Sequence, residues 1–479
     1  MITEKFFSGD GFRTSSDGSY FDVINPYGGK PAARISKAGR EDFDASLNYL
    51  VSSFQKYSAG PVYVRVELLR KIAQKISERS ESIAQLLTSE TGKPIKYSRI
   101  EVQRAVLTFM LGSEEASRIN GEVTDMSLIR GSENGIGIIK RFPLGVILAI
   151  TPWNFPVNLV AHKLSPALAS GNTVLLKPAS ASAACGLEIM KIVKEACDEM
   201  NLGYYPLNVL TAPGKVTEEF ASDKRVALVS FTGSSDVGWH LKKSLDRQKI
   251  SLELGGNAGV IVDESADLKD SVAKIVTGAF SQAGQSCISV QRVFVHEKVY
   301  DMFVEMLKAA VDQLKVGDPF DDDTEVASMI NEEEAKRAER WIKEAVDGGA
   351  ELLTGGERSS AVLAPALLAN TSRDMSVNCR EVFAPVATVT KVSSFEDAVD
   401  QVNDSAFGLQ AGVFTNDLGN AFYAFGKIHA GGVVINHVST YRMDAMPYGG
   451  VKDSGNAREG VRYAIEEMTE RKIMVVFSK

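Results

Sequence analysis

Cys287 has the sequence context of a reactive nucleophile. It lies in QAGQSCISVQR, where small and polar residues precede it and a strand-like run follows. This context predicts a turn between two elements, and a turn exposes its side chains. A thiolate is a strong nucleophile near neutral pH, and its addition to a carbonyl creates an oxyanion that needs stabilisation. For an isolated cysteine, inert packing as a small hydrophobe is the commoner alternative. The hypothesis of a reactive Cys287 therefore depends on other residues that could assist the reaction.

Glu253 and Asn154 could supply the two groups that a reacting thiol needs. Glu253 ends the apolar run of LELGG, and two glycines after it allow other atoms to approach closely. Burial there would raise its pKa toward the range of a general base, although a glutamate that caps the next turn is an equal alternative. Asn154 lies between the two prolines of TPWNFP, so its amide could be fixed to stabilise an oxyanion. An ordinary turn asparagine is the commoner alternative.

Two further segments could bind the phosphates of a cofactor. KPAS at 177–180 follows the strand-like run TVLLK, and FTGSSDVG at 231–238 combines a strand end, a glycine turn and Ser234 at a helix start. Helix N-termini bind phosphate. The alternating region contains no GxGxxG, so spacing alone does not distinguish a dinucleotide site from an ordinary capped helix.

These residues lie where strand-like and helix-like segments alternate. The strand-like runs VILAI, TVLLK, LNVL, VALVSF and ISLEL are separated by helical segments after Gly145, which predicts a parallel α/β sheet. The pattern restarts after Gly256 and predicts a second α/β domain. Upstream, three long amphipathic helices are expected over residues 40–118, the second spanning about 62–92, and they should cover one face of the first sheet.

Two segments have the pattern of exposed strands. EVTDMSLIRGSENGIGIIKR at 122–141 contains two strand-like runs around a turn, and KIMVVF near the C-terminus is one more strand. Such edges commonly pair with another subunit.

Composition excludes several classes of protein. The 479 residues carry a net charge of -8 with no basic tract, which argues against a nucleic-acid partner. The longest apolar runs, such as GVILAI, are far shorter than the roughly 18 residues of a membrane span, and no export signal is indicated. Four scattered cysteines fit a reducing cytoplasm better than a disulfide framework. The five histidines have no metal-ligand spacing, so no metal is expected.

Seven motifs together resemble the aldehyde dehydrogenase superfamily, in the non-acylating, NAD(P)+-dependent branch. They are TPWNFP, KPAS, FTGSSDVG, LELGG, GQSC, EVFAPV and PYGGVKDSG, in that order over residues 151–455. The resemblance implies an α/β fold with three parts: a Rossmann-type parallel-sheet cofactor domain at 1–122 and 142–255, an α/β catalytic domain at 256–462, and a small β oligomerisation arm with a C-terminal strand at 123–141 and 463–479. It also implies a homodimer or homotetramer.

The resemblance assigns a role to each candidate in the oxidation of an aldehyde to its acid. Cys287 would form a thiohemiacetal whose oxyanion is held by Asn154 and the Cys287 backbone N–H, and hydride would pass to nicotinamide. Glu253 would then activate the water that hydrolyses the thioester.

The same resemblance implies a binding site for NADP or NAD. Lys177 should contact the adenosine ribose, Ser234 the pyrophosphate, and Glu381 the nicotinamide ribose with Phe383 beside it. Ser180 stands where strongly NAD-selective relatives carry a glutamate, so NADP should be tolerated or preferred. Further expected contacts are Thr151, Pro152, Trp153, Gly214, Phe231, Gly233, Leu254 and Gly255.

The expected substrate channel departs from that of relatives with apolar substrates. Arg442 and His162 stand where aromatic residues are common, while Ser286 and Ile288 flank the nucleophile. These changes favour a short aldehyde with a carboxylate, phosphate or phosphonate group. The alternative is that Arg442 pairs with Asp444 or another acid and only shapes its loop. Succinate semialdehyde is not the first choice, because the arginines and second cysteine expected for it are replaced by His162, Ser281 and Ser289. Lactaldehyde, phosphonoacetaldehyde, glyceraldehyde 3-phosphate and a broad range of aldehydes remain open as substrates.

Two other functions compete with this hypothesis. A CoA-acylating dehydrogenase is disfavoured because Glu253 would hydrolyse the thioester before a thiol could take it. A catalytically silent protein on the same fold is the non-enzymatic alternative, and the presence of Cys287, Glu253, Asn154, Lys177 and Glu381 together argues against it.

Overall fold

A computed structural model describes residues 2–212 and 214–478. Its first large sheet has seven strands, and the five strands predicted from the sequence form its parallel part. Two N-terminal strands that were not predicted extend it antiparallel at one edge. In spatial order the strands are Lys249–Glu253, Val226–Thr232, Val146–Ile150, Thr173–Lys177, Leu207–Val209, Phe6–Ser8 and Gly11–Arg13.

The second large sheet also has seven strands and confirms the predicted restart of the α/β pattern. All neighbours in it are parallel except the first pair. Its central strands are buried along their whole length, as expected for a sheet covered on both faces. The spatial order is Glu351–Thr354, Ala366–Ala369, Val386–Val392, Val290–His296, Ala258–Val262, Gln410–Phe414 and Gly432–Ile435.

The smaller sheets lie outside these two. One joins the predicted strands at 122–141 to the C-terminal strand, with Gly135–Pro143 in the middle, Glu122–Asp125 on one side and Thr469–Phe477 on the other. Another consists of Ile2–Glu4, Pro31–Ser36 and Tyr20–Ile24. Two strand pairs complete the set: Arg358–Ser359 with Val362–Leu363, and Phe407–Gly408 with Val451–Lys452.

The N-terminal helices differ from the prediction in two ways. The segment expected to be one helix over 62–92 is two helices, because Arg79 leaves helical geometry at φ −107° and ψ 14°. Of the N-terminal helices, Arg40–Ala59 packs on the first sheet, whereas Val62–Glu78 and Ile95–Ala116 pack on the buried helix Asn158–Ser170. A polar face on the fourth helix therefore lies over the residues that follow the strand Val146–Ile150.

The predicted helical segments up to about residue 316 are otherwise close to the observed helices, whereas Gly214–Ala221 and the helices after residue 330 were not predicted. The helices of the described residues are Arg40–Ala59, Val62–Glu78, Ser80–Thr91, Ile95–Ala116, Asn158–Ser170, Ala183–Glu199, Gly214–Ala221, Ser235–Ser244, Leu268–Phe280, Glu297–Val311, Glu332–Asp347, Ser376–Cys379, Phe395–Asn403, Leu418–Lys427 and Val461–Glu467. None of those in the described ranges is long and apolar enough to cross a membrane. The last helix returns to the core of the first sheet, where Val461, Ile465 and Met468 are buried.

Candidate active site

A cleft of about 600 Å³ opens at the carboxyl ends of the first-sheet strands, which is the edge where α/β proteins place their ligands. Fourteen of the twenty residues proposed from the sequence line it: Pro152, Trp153, Asn154, Gly233, Ser234, Glu253, Leu254, Gly255, Ser286, Cys287, Ile288, Glu381, Phe383 and Arg442. Six do not line it: Thr151, His162, Lys177, Ser180, Gly214 and Phe231.

Cys287 reaches the cleft from a tight turn between a helix and a strand. The three residues at 282–284 all have positive φ, including the non-glycines Gln282 at 53° and Ala283 at 55°. Such geometry is rare for L-residues and clusters at functional sites. The Cys287 Sγ lies 3.0 Å from the Tyr448 hydroxyl, and burial raises the pKa of the thiol to about 12. The free site therefore holds a protonated thiol that needs help to ionise.

Asn154 lies on the loop opposite the nucleophile, and two glutamines connect the loops. The Asn154 Nδ2 donates to the Gln285 carbonyl at 3.0 Å, and the Gln282 side-chain amide donates to the Asn154 carbonyl. An amide nitrogen carries two hydrogens, so this contact uses only one of them. The arrangement fixes the amide close to the nucleophile turn, as oxyanion stabilisation requires.

Glu253 ends its strand inside the cleft and is 4% exposed. Neither of its carboxylate oxygens has a hydrogen-bond partner among the described residues. Burial, followed by the nearby Glu459 carboxylate, raises its pKa well above the ordinary value, while Arg442 and Lys163 oppose the shift. An unpaired buried carboxyl with a raised pKa is the expected state of a general base before substrate arrives.

Eight of the thirteen residues proposed for a dinucleotide line the cleft. The Glu381 carboxylate accepts from the Gly256 N–H at 2.8 Å, and burial raises its pKa to about 7. The rings of Trp153 and Phe383 meet edge-on with centroids 5.7 Å apart. Ser234 stands at the N-cap of the helix Ser235–Ser244 without a side-chain capping bond.

Lys177 and two threonines have side-chain polar groups without a hydrogen-bond partner or ion pair in the described residues, and of the three only Thr232 lines the cleft. Lys177 lies almost buried at the end of its strand, and burial lowers its pKa. No carboxylate among the described residues opposes this shift. The hydroxyls of Thr151 and Thr232 are buried without a hydrogen bond in those same residues. A buried cation, unpaired hydroxyls and a free helix N-terminus fit the phosphates and riboses of NAD(P).

Arg442 lines the cleft but is not a free cation. Its guanidinium donates to Glu459 at 2.7 Å and lies over the Tyr448 ring, 3.8 Å from the centroid. Its acid partner is thus Glu459 and not Asp444. The opposing effects of burial, which lowers the pKa of Arg442, and of Glu459, which raises it, leave it charged.

His162 lies behind the cleft wall instead of in it. It is 2% exposed, and its Nε2 lies 2.8 Å from Asp444 Oδ1. Burial and the nearby Arg442 charge lower its pKa, so it is neutral at pH 7. Asp444 also accepts two hydrogen bonds from Arg104, at 3.1 and 2.7 Å.

Sequence reasoning missed Arg104 and Tyr448 as residues of the cleft. A signal for Arg104 was present: Glu101, Arg104 and Thr108 are spaced by three and four residues, which predicts one polar face on an otherwise amphipathic helix. Tyr448 is part of the PYGG motif, but nothing in that motif indicates that its hydroxyl reaches the Cys287 sulfur.

Comparison with known proteins shows the family. The chain matches the aldehyde dehydrogenase family over residues 12–474. It is 43% identical over 456 residues to 3-sulfolactaldehyde dehydrogenase of Priestia aryabhattai, a match that covers 95% of this chain and 94% of that protein.

Two solved structures have the same fold. One is aldehyde dehydrogenase 21 of Physcomitrella patens in complex with succinate, with a TM-score of 0.97, 39% identity and coverage of 99% of this chain and 98% of that one. The other is glyceraldehyde-3-phosphate dehydrogenase of Methanocaldococcus jannaschii complexed with NADP, with a TM-score of 0.92, 37% identity and coverage of 96% and 99%. The chain belongs to the aldehyde dehydrogenase family and is an oxidoreductase that acts on aldehydes.

Proposed function

We propose that this enzyme oxidises a short aldehyde with an anionic group to the corresponding acid, using NAD or NADP. The observation that carries the proposal is the pair of arginines in the cleft with Cys287. Arg104 and Arg442 each have a guanidinium Nη1 that makes no hydrogen bond within the described residues. Guanidinium groups recognise carboxylate, phosphate and sulfonate oxygens by paired hydrogen bonds.

The local charge balance supports an anionic substrate. Three cations, Arg104, Arg442 and Lys163, surround two carboxylates, Asp444 and Glu459. The pKa of Asp444 is lowered because the His162 and Arg104 contacts outweigh burial, and that of Glu459 falls to about 2 because Arg442 and Lys163 outweigh burial. Both acids are therefore ionised, and the Arg104 and Arg442 guanidinium groups remain charged beside the cleft. The relative named for 3-sulfolactaldehyde acts on an aldehyde of this kind.

In the proposed mechanism Cys287 attacks the aldehyde carbon. The sulfur–carbon bond forms as the carbonyl electron pair moves to oxygen, where the Asn154 amide and the Cys287 backbone N–H hold the oxyanion. Glu253 then takes a proton from the water that hydrolyses the acylated cysteine. Its unpaired oxygens and raised pKa suit that role. A CoA-acylating reaction is disfavoured, because Glu253 would promote hydrolysis of the acylated cysteine before a thiol could take the acyl group.

NAD or NADP would supply the hydride acceptor. Lys177 and Ser180 would hold the adenosine end, Ser234 the pyrophosphate and Glu381 with Phe383 the nicotinamide ribose. Ser180 is exposed and brings no negative charge beside Lys177, which supports tolerance of a 2′-phosphate. The remaining contacts proposed from the sequence are Thr151, Pro152, Trp153, Gly214, Phe231, Gly233, Leu254 and Gly255.

We also propose a domain organisation, a subunit interface and a cellular location for the enzyme. The first sheet would form most of the cofactor domain and the second the catalytic domain. Subunits would pair through the arm, where Val123, Leu128 and Ile129 are more than two-thirds exposed and would lose that exposure in a homodimer or homotetramer. Four free cysteines support a cytoplasmic location.

The test follows absorbance at 340 nm with NAD+ and NADP+, using matched neutral and anionic aldehydes of similar length. Wild type should reduce at least one cofactor and prefer the anionic aldehydes, and Cys287→Ser should abolish reduction. Activity that survives in Cys287→Ser would refute the mechanism. A preference for neutral aldehydes would refute the proposed substrate class while leaving the reaction intact.

A further inference from the structure

The nucleophile has one close polar partner that the reaction scheme above does not use. The Tyr448 hydroxyl lies 3.0 Å from Cys287 Sγ. This is the only side-chain hydrogen bond that either residue makes within residues 2–212 and 214–478. Tyr448 is 3% exposed, and two backbone hydrogen bonds to Glu459 fix its position. Its hydroxyl is therefore held against the sulfur.

A cation lies on the face of the same ring. The Arg442 guanidinium is 3.8 Å from the Tyr448 ring centroid, and its bond to Glu459 holds it there. A cation over an aromatic face withdraws electron density from the ring, so the phenol becomes a stronger hydrogen-bond donor. Arg442, Tyr448 and Cys287 thus form a chain of contacts that ends at the reacting atom.

We propose that Tyr448 is a further catalytic residue, which donates its hydroxyl hydrogen to Cys287 and stabilises the thiolate, and that Arg442 strengthens this donor from the ring face. The inference rests on the proposed role of Cys287 as the nucleophile. The thiol proton leaves to water before attack, and Tyr448 keeps its own proton throughout. When sulfur then bonds to the carbonyl carbon, the tyrosine contact has lowered the free energy of the attacking anion.

Burial and the other charged groups near the sulfur oppose the ionisation of Cys287, and a hydrogen-bond donor counteracts them. Burial has the largest effect and raises the pKa of Cys287, and the Glu381 and Glu253 carboxylates raise it further. Tyr448 and Arg442 are the groups that lower it. Tyrosine is a donor here and not a base, because burial raises its own pKa well above the ordinary value. Without this pair, a buried thiol between two acids would ionise still less readily.

The test measures how fast iodoacetamide alkylates the protein as a function of pH, without aldehyde or cofactor. The thiolate displaces iodide as the sulfur–carbon bond forms, so the rate follows the ionised fraction of Cys287. The rate of Cys287→Ser is subtracted to remove the other three cysteines. The variants are Tyr448→Phe, which deletes only the hydroxyl, and Arg442→Gln, which leaves it. Tyr441→Phe, in the same loop but exposed, is the matched control.

Tyr448→Phe should react roughly 10- to 100-fold more slowly near neutral pH, with the midpoint of its pH profile moved upward, since a hydrogen bond to an anion has that value. Arg442→Gln should shift the midpoint in the same direction by less, and Tyr441→Phe should match wild type. An unshifted midpoint in Tyr448→Phe would overturn the inference. A uniform loss of rate with that same midpoint would also overturn it, because packing alone would explain it.

The same variants separate this inference from the proposed function. If Cys287→Ser still reduces cofactor, the proposed mechanism fails and the role of Tyr448 fails with it. If Cys287→Ser is inactive but Tyr448→Phe keeps the wild-type midpoint, only the tyrosine inference fails.

Discussion

Two buried charged clusters contact the helix Ile95–Ala116 one turn apart. They differ in how many of their polar atoms have a hydrogen-bond or ion-pair partner. The scaffold cluster contains Lys93 and Glu101. One Glu101 oxygen pairs with the Lys93 ammonium, the other accepts from the Val157 and Asn158 N–H groups, and the ammonium also lies over the Phe155 ring. Every charge in it has a partner, and the cluster holds the loop that carries Asn154.

The active-site cluster begins at Arg104, three residues further along. It consists of Arg104, Asp444, His162, Arg442, Glu459, Lys163 and Glu253. Several of its buried atoms have no hydrogen-bond partner in the described residues: both oxygens of Glu253, Nδ1 of His162, Nε of Arg442 and Oε1 of Glu459. Burying an unpaired polar atom is unfavourable, and proteins seldom retain one without a function. The complete pairing of the scaffold cluster fits a structural role, and the incomplete pairing of the active-site cluster supports the proposal that a ligand binds there.

The largest effect should come from Glu253→Gln, which changes the least paired member of the active-site cluster. Turnover should fall about 100- to 10,000-fold, the usual contribution of a general base. Stability should not fall, because the change removes an ionisable group that burial disfavours. Stopped-flow absorbance at 340 nm should still show one rapid equivalent of reduced cofactor per subunit. Absence of this burst would mean that Glu253 acts before hydride transfer and not in hydrolysis.

Lys93→Met should lower stability, in contrast to Glu253→Gln, because it breaks the fully paired scaffold cluster. It leaves the Glu101 carboxylate buried with only its backbone partners, and such a loss costs about 3–5 kcal/mol. Urea denaturation measures the change. The control is Arg99→Gln, which removes exposed pairs with Glu81 and Asp322 and should change stability little. Equal destabilisation by the two variants would contradict the assigned difference between buried and exposed pairs.

Arg104→Gln tests whether the unpaired nitrogens of the active-site cluster bind substrate. The preference in kcat/KM for an anionic over a matched neutral aldehyde should fall about tenfold, the value of one charge-assisted hydrogen bond. Asp444 keeps His162 and Asn158 as partners, so the loop should stay in place. Arg462→Gln removes an exposed arginine outside the cleft and serves as the control. Unchanged selectivity in Arg104→Gln would show that its only role is to hold Asp444.

The sequence was informative where local pattern and chemistry coincide. The buried strands were predictable because continuous apolar runs such as VILAI and TVLLK have few alternatives, and the fold class is confirmed. Glu253, Cys287 and Asn154 were proposed from their positions at strand ends and turns, and all three line one cleft. Their roles remain a proposal.

The sequence was less informative where distant segments meet. Arg104 binds Asp444 across 340 residues, and Tyr448 meets Cys287 across 161, so no local pattern links them. Arg79, where the expected single helix breaks, forms ion pairs with Glu188 and Glu195, which lie far along the chain. The sequence analysis gave Asp444 or another acid as the partner of Arg442, and identifying Glu459 required the three-dimensional path of the loop.

The smallest effect should appear in the acid sensitivity that His162 gives to the active-site cluster. Burial and the Arg442 charge lower its folded pKa, whereas in the unfolded chain it titrates near 6.5. Below that pH the unfolded chain binds a proton that the folded chain does not, so stability falls as the pH falls from about 7 toward the folded pKa. His162→Gln keeps an N–H for Asp444 but removes the titration, so its urea midpoint should fall less between pH 7 and 5. The effect is small because the unfolded chain binds less than one proton per molecule more than the folded chain.

The control is His240→Gln, which removes an exposed histidine. Parallel slopes in wild type and His162→Gln would mean that His162 is protonated in the folded protein and belongs with the fully paired groups.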